Sequence, residues 1–478
     1  MKQPIIINGR RTNKTDGQFN RIVSRTSDEI ELPRLTESAV DDIIQAPRFG
    51  LRNVPLHEIV TFLHNVGQNW KSHEYARRRL YIRYLVRHFG YSQKMAETEA
   101  NWIALYLSSH YRLYDILSAE LGSWRVLDGW VSHEESSIRA TPRGRSFHLV
   151  PGNVPLSSVA SIVRALITKN TCVVKVSSDD PLTPIVLGLS FIDTDANHPV
   201  TRAYSAVHWK GGEDDPLSRR LIADADVVCA WGDEKAVAWA STNMSTCAEI
   251  AKFGPKRSFA VVGADADPRE AARVLAHDVA MYDQRACFSV QRVFAEKGLD
   301  PSFSEEVEQA LNLYDDILPK GQQDFDEQAV WSLTQLQAEF SGAEIRTSPS
   351  RSWSIVRCTP EEAPEHPLGR VLFVHEVDDL SNVLGYAGPD VQTVAIYPYA
   401  LGAKIRDACV EAGVDRIVEL GMNNIFRVGS AHDGMFPTQR LVRFVSMDLP
   451  AHERAKGMAV KIDQTEFLEQ DRFVEFIP

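Results

Sequence analysis

The stretch SFHLVPGNVPLSSVASIVRALITKNTCVVKVSS, Ser146–Ser178, decides how the rest of the chain is read. It opens on a short apolar run that ends at Pro151 and closes on a second run, TCVVKVS. Between them Val159, Ile162, Val163, Leu166 and Ile167 recur at i, i+3, i+4, i+7 and i+8, which puts all five on one face of a helix. A strand, an amphipathic helix and a second strand in that order are the unit of a parallel sheet. The rhythm repeats downstream, with AYSAVHW and DVVCAWG as strands and PLSRRLIADA and EKAVAWAS as helices. Successive crossovers of this kind build a doubly wound sheet, which gathers its ligands at the carboxyl ends of the strands.

A second alternating region begins near Ser258. SFAVVG, GRVLFVHEV, VQTVAIYP and RIVEL read as strands, and DPREAARVLAHDVAMYD as a capped helix. Upstream, residues 1–120 read mainly as helices after a short extended start. In ETEANWIALYLSSHYRLYDILSAEL, Trp102, Leu105, Tyr106, Tyr111, Tyr114 and Leu117 fall near helical spacing and are expected to line a core. A chain of 478 residues exceeds one ordinary core and suits two or three domains.

The bulk composition excludes several roles. A net charge of −12 opposes a primary nucleic-acid function, which needs a clustered basic surface. The one basic run, YARRRLYIR at Tyr75–Arg83, is interleaved with apolar residues and reads as a solvated helix face. No apolar stretch reaches the roughly 18 residues of a membrane span. The opening MKQPIIINGRRTNKT has too short an apolar run for a signal-peptide core, so a cytoplasmic location is expected. Cys172, Cys229, Cys247, Cys287, Cys358 and Cys409 are scattered without a C-x-x-C pair, so neither a metal site nor a disulfide framework is expected.

Two residues carry candidate chemistry. Cys287 lies in YDQRACFSVQRVF, between a polar turn and a strand, and could be core filler or a presented thiol. Arg285 could support a thiolate there if it points inward. Asn153, between Gly152 and Pro155 at a strand end, either satisfies its own turn or donates an amide hydrogen bond into a cleft. Cys172 and Cys229 sit inside apolar runs as small core residues, and Cys247 is a weaker rival nucleophile. The G-x-G-x-x-G phosphate loop is absent, which leaves either no dinucleotide or one bound in another way.

PGNVP, then KVSSDDPLTP, then a lone cysteine resembles the aldehyde dehydrogenase superfamily. More narrowly, PGNVP, AWGDEKAV, DQRACFSVQRVF and GSAHDGMFPTQRLVRFVS together look like the long-chain acyl-CoA reductases, including the fatty-acid reductase component of bacterial bioluminescence. The resemblance covers about Ser146 to Val445. It implies an aldehyde-dehydrogenase-like α/β fold with two doubly wound domains, a bridging β-hairpin and a helical N-terminal region. Residues 1–252 would hold the N-terminal helices and dinucleotide-binding domain, with the hairpin at about 124–145. Residues 253–435 would form the catalytic cysteine domain and 436–478 a C-terminal bridging segment.

The resemblance also assigns roles. Cys287 matches the family nucleophile, and Asn153 the oxyanion-binding amide that acts with the Cys287 backbone N–H. Lys175 and Ser177 match contacts to the adenosine ribose. Gly232 opens a helix whose free N–H groups would meet a pyrophosphate, and Glu365 would hold the nicotinamide ribose. His432 and Asp433 fall in a loop near the cleft.

Departures from the family pattern refine the expectation. Where aldehyde-oxidising members carry a water-activating glutamate, AKFGPK (Ala251–Lys256) has no carboxylate, and Glu249 is out of register. Ser178 replaces a glutamate that would repel a 2′-phosphate, which favours NADPH. The expected reaction is reduction of long-chain fatty acyl-CoA to aldehyde through an S-acyl cysteine. The alternatives are acyl supply from a partner acyl-protein synthetase or thioesterase, a CoA-acylating dehydrogenase of short-chain aldehydes, or a catalytically silent acyl-CoA- or carrier-binding oligomer. A homo-oligomer is expected from the bridging strands.

Overall fold

The computed structural model describes residues 1–12, 18–133, 136–210 and 215–448. Ser146–Ser178 forms the parallel unit its pattern calls for: strand Arg145–Leu149, helix Pro155–Ile167, strand Thr171–Lys175. Proline opens the helix, where no intrahelical N–H is needed, and Val159, Ile162, Val163, Leu166 and Ile167 are all fully buried.

That unit is the centre of a seven-stranded sheet. Its order is Glu249–Phe253, Val227–Trp231, Arg145–Leu149, Thr171–Lys175, Tyr204–Val207, Ile5–Ile7 and Arg10–Thr12. The first five strands run parallel, and the two N-terminal ones are antiparallel additions at one edge. The isoleucines that open the chain thus become a buried strand. Chain order reverses between Arg145–Leu149 and Val227–Trp231, so a crevice opens at the carboxyl ends of these two strands.

A second seven-stranded sheet runs Glu344–Thr347, Ser354–Arg357, Val371–Val377, Val290–Glu296, Arg257–Val262, Val391–Tyr397 and Arg416–Glu419. Every neighbouring pair is parallel except the first. Both large sheets are thus of the doubly wound α/β kind the sequence pattern calls for. A third sheet pairs Val442–Asp448 with Ser136–Pro142, which in turn pairs with Val131–His133. Of the segment 436–478, residues 449–478 lie outside the described residues.

The N-terminal helices correct one expectation. The chain breaks near Ser109 into helices Gln93–Ser108 and His110–Leu121, and the buried face of the first is Met95, Ala96, Glu99, Ala100, Ile103, Ala104 and Leu107. Leu105 is 53% and Tyr111 85% exposed and leave the core face, while Leu117 is fully buried and Tyr106 and Tyr114 pack against the core as expected. The alanines decide the matter by letting the helix Leu56–Lys71 come close. At Gly67 an added Cβ would lie 2.5 Å from the Ser108 nitrogen.

The two large sheets meet end to end. The loop after Leu149 reaches Arg285, just ahead of the strand Val290–Glu296. Trp231 and Phe253, each the last residue of its strand, stack at 3.7 Å and take His432 edge-on at 5.2 and 5.4 Å. The carboxyl end of the first sheet therefore faces the amino end of the second.

Candidate active site

Cys287 is presented by a strained turn. Tyr282, Asp283 and Gln284 all have positive φ (56°, 49° and 62°), a conformation that costs side-chain-bearing residues about 1–2 kcal/mol each. Each is locked by a buried partner. Asp283 pairs with Arg370 at 2.7 Å, both nearly sealed from solvent. The Gln284 side chain donates to the carbonyls of Val290 and Val371, each at 2.8 Å. Tyr282 donates its hydroxyl to Glu99 at 2.9 Å.

The Asn153 loop arrives from the other side. Asn153 Nδ2 donates to the Arg285 carbonyl at 2.9 Å, which sets the amide two residues from the thiol. Glu99 ties both sides together, because its other oxygen accepts the Leu156 N–H at 2.5 Å. It is fully buried, and its carboxyl is pushed up to about 7 by burial, against the bonds from Tyr282 and Leu156. Arg285 does not turn toward Cys287. It bonds the Gln322 carbonyl and Glu327, both at 3.0 Å.

The half-buried thiol is surrounded by groups from three other segments. Burial pushes it up to about 12, and the charge of Asp433 adds to the rise. A hydrogen bond from Gln392, the cation of Arg416 and the thiol's own backbone N–H oppose it. Gln392 also donates to Asp433 Oδ1 at 2.8 Å and so holds that carboxylate beside the thiol. Burial pushes Asp433 up to about 6. Ser258 donates to the Cys287 carbonyl at 2.7 Å, and Asn423 Nδ2 to the Phe288 carbonyl at 2.8 Å. His432 is pushed down to about 3 by burial, so it is a neutral aromatic wall and not an acid.

Glu249 faces away from this site, held by Arg143 at 3.0 Å and Arg440 at 3.1 Å. The stretch AKFGPK brings no carboxylate, yet the loop SAHDGMFP brings Asp433. The sequence reading placed that residue only near the cleft.

The candidate cofactor residues line the carboxyl end of the first sheet. Gly152 allows the Asn153 loop to touch the next loop, since an added Cβ would lie 2.4 Å from Ser177 Oγ. Lys175 is pushed down to about 8 by burial, with only the charge of Asp179 acting against that. Ser177 Oγ accepts the Asp179 N–H at 3.3 Å, and Ser178 lies 3.4 Å from His208 Nε2. Burial and the Lys175 cation push His208 down to about 3. A partly buried lysine with no carboxylate bonded to it among the described residues, beside two serines and a neutral histidine, fits a hydroxyl-rich, anionic ligand.

Gly232 has φ 150°, with its Cβ position 3.0 Å from Ala236. The helix it precedes, Glu234–Asn243, has less to offer an anion than expected. Asp233 caps it by accepting the Ala236 N–H at 2.8 Å, and Glu234 adds a second charge, so that N-terminus is partly satisfied and negative. Glu365 is exposed and makes no bond to the other site residues among those described.

The residues that sequence reasoning missed are Gln392, Arg416 and Glu99. Each sits inside a regular element, and the only signal is a polar residue at an otherwise apolar, buried position.

The chain matches the acyl-CoA reductase (LuxC) family over residues 51–444. It is 42% identical to the long-chain acyl-protein thioester reductase of Vibrio harveyi over 476 residues, 99% of each chain. It is 46% identical to that of Photorhabdus luminescens over 451 residues, 94% of this chain and 93% of the relative. Among solved structures it resembles an Escherichia coli NADP-dependent enzyme (TM-score 0.76, 15% identity, 94% of this chain and 98% of that one). It also resembles the NADP-dependent glyceraldehyde-3-phosphate dehydrogenase of Bacillus halodurans (TM-score 0.71, 17% identity, 94% of this chain and 100% of that one). With the fold of the aldehyde dehydrogenases and these relatives, this chain belongs to the acyl-CoA reductase (LuxC) family.

Proposed function

We propose that this protein reduces long-chain fatty acyl thioesters to aldehydes with NADPH, through an S-acyl intermediate on Cys287. The observation that carries the reading is the locked turn that sets Cys287 against Asn153 at the meeting edge of the two sheets. Covalent transfer to a thiol splits a difficult reduction into two easier steps. Asn153 and the Cys287 N–H stand ready for the oxyanion of both, one such donor being worth about 3–4 kcal/mol of barrier.

Residues 1–252 would bind the cofactor through Lys175, Ser177, Ser178 and the Gly232 turn, and residues 253–435 would hold the thiol. When bound, the cofactor supplies hydride to the acyl carbon. The chain's own task is to hold the acyl group, orient its carbonyl and keep water inactive, and Glu249 is turned away from that water. Glu365 is retained only as a candidate for the nicotinamide ribose.

The donor is fatty acyl-CoA or an acyl group on a partner protein. The names of the relatives, acyl-protein thioester reductases, favour the second, which implies an acyl-protein synthetase or thioesterase as partner. No helix among the described residues is long and apolar enough to cross a membrane, which suits a cytoplasmic enzyme. The exposed Phe444, Val445 and Met447 on the last described strand would pair copies into a homo-oligomer.

The test is NADPH oxidation and aldehyde formation with tetradecanoyl-CoA and with a tetradecanoylated synthetase. Aldehyde from either donor, lost in Cys287→Ala, supports the reading. Aldehyde from neither, with cofactor binding intact, overturns it.

A further inference from the structure

Arg416 is a buried cation with no carboxylate bonded to it among the described residues. It opens the strand Arg416–Glu419 and is 8% exposed. Its Nε donates to Thr393 Oγ1 at 3.1 Å, its Nη1 to the Ile425 carbonyl at 3.3 Å and its Nη2 to the Asn423 carbonyl. Its guanidinium carbon lies 4.0 Å over the centre of the Phe426 ring. All these partners are neutral. Leaving a buried charge without a counter-charge costs several kcal/mol unless one is supplied.

The bonding around it points to where the counter-charge forms. Thr393, which Arg416 holds, donates its N–H to Ser258 Oγ at 3.2 Å, and Ser258 donates to the Cys287 carbonyl. Asn423, whose carbonyl Arg416 holds, bonds the Phe288 carbonyl one residue beyond the thiol. Both bond paths from the guanidinium end on the Cys287 turn.

We propose that Arg416 is the counter-cation of the Cys287 thiolate, and that Asp433, held by Gln392, opposes it and sets how much thiolate forms. This rests on the reading of Cys287 as the nucleophile. The two groups act on the sulfur with opposite sign.

The other charged or titratable groups around the thiol do not take this role. Lys256 is paired with Asp415 at 2.8 Å. Asp278 accepts the Gly421 N–H at 2.6 Å and is pushed up to about 7 by burial; its charge acts on Arg416 together with that of Cys287, but no bond joins it to the guanidinium. Arg285 is bonded to Glu327, Arg164 lies 3.5 Å from Glu120, and His432 is neutral. Acyl transfer then balances. The sulfur enters as thiolate, its proton given to solvent. The new carbon–sulfur bond forms, the donor's breaks, and the departing thiolate takes up a proton.

The test is alkylation of the full-length protein by iodoacetamide across neutral and alkaline pH, followed by intact mass. Cys287→Ser separates this label from label on the exposed Cys247. Arg416→Met should slow Cys287 labelling about tenfold or more at neutral pH and reach the wild-type neutral rate only about one pH unit higher, since each tenfold loss of thiolate is one pH unit. Arg416→Lys should restore most of the rate. Asp433→Asn, which keeps the buried cation, should label faster than wild type above about pH 6, where Asp433 is charged in the native protein.

A wild-type pH profile in Arg416→Met, or no acceleration in Asp433→Asn, overturns the proposal. An Arg416-dependent thiolate on a protein that accepts no acyl group would instead remove the reductase reading and leave this assignment standing.

Discussion

On the proposed reading the chemistry turns on one sulfur acted on by groups of opposite charge, and the side chains around it divide into those that react and those that restrain. Asn153 belongs to the first kind. Asn153→Ala should lower aldehyde turnover about 10²–10³-fold while Cys287 still alkylates at close to its normal rate, because the oxyanion develops only during reaction. Glu249 belongs to the second. Bound by Arg143 and Arg440, it cannot serve the acyl group. Glu249→Gln should therefore leave the lifetime of the acyl-enzyme within about twofold of wild type, read by mass against time, and cost at most about 1 kcal/mol of stability.

Cys287 was legible in the sequence because a lone cysteine ahead of a strand follows PGNVP at the family's distance. Arg416 and Gln392 were not, since RIVEL and VQTVAIYP announce only strands. Only tertiary packing shows that the first turns of both strands meet the cysteine. Arg285, next but one to the thiol in sequence, was the nearer guess and turns the other way.

At the scale of elements, the reactive turn keeps its shape because buried pairs outweigh its strain. Breaking the Asp283–Arg370 pair by Arg370→Leu leaves an uncompensated buried carboxylate. It should destabilise the protein by about 3–5 kcal/mol in denaturant unfolding.

Glu99 gives the turn a pH dependence of known sign. Its folded value of about 7 stands above the ordinary 4.5, so the folded state binds more protons than the unfolded state between these values. Its share of stability is present in acid and falls as pH rises through that window. Glu99→Gln removes the loss. Relative to wild type it should gain about 1–3 kcal/mol between about pH 5 and pH 8, measured as unfolding free energy at both.

Helical periodicity did reveal the helices around Glu99. It misjudged part of the face, because it weighs large side chains such as Leu105, and here the alanines at 96, 100 and 104 are the buried ones.

For the whole molecule, alternation of strand and helix was enough to place both doubly wound sheets. A buried strand and a packed helix each leave a period that survives any partner. The meeting of the two sheet ends left no such trace. It is built by single side chains such as Trp231, Phe253 and His432 in loops and strand ends. Among the described residues the third sheet ends at an open edge, with Phe444 47% and Met447 55% exposed. An uncovered apolar edge strand invites pairing with another chain. Phe444→Glu should shift the mass found by light scattering toward the monomer, and a monomeric wild-type protein would remove the homo-oligomer.

The most direct measurement is the intact mass of the protein mixed with a long-chain acyl thioester, tetradecanoyl-CoA or the tetradecanoylated synthetase, with no nicotinamide present. The account predicts one added acyl group, absent in Cys287→Ala, stable over many turnover times and discharged as aldehyde when NADPH is added. No adduct from either donor would contradict the covalent route. An adduct lost to water within a turnover would make Asp433 a water-activating base and the protein a hydrolase or oxidase of its acyl group.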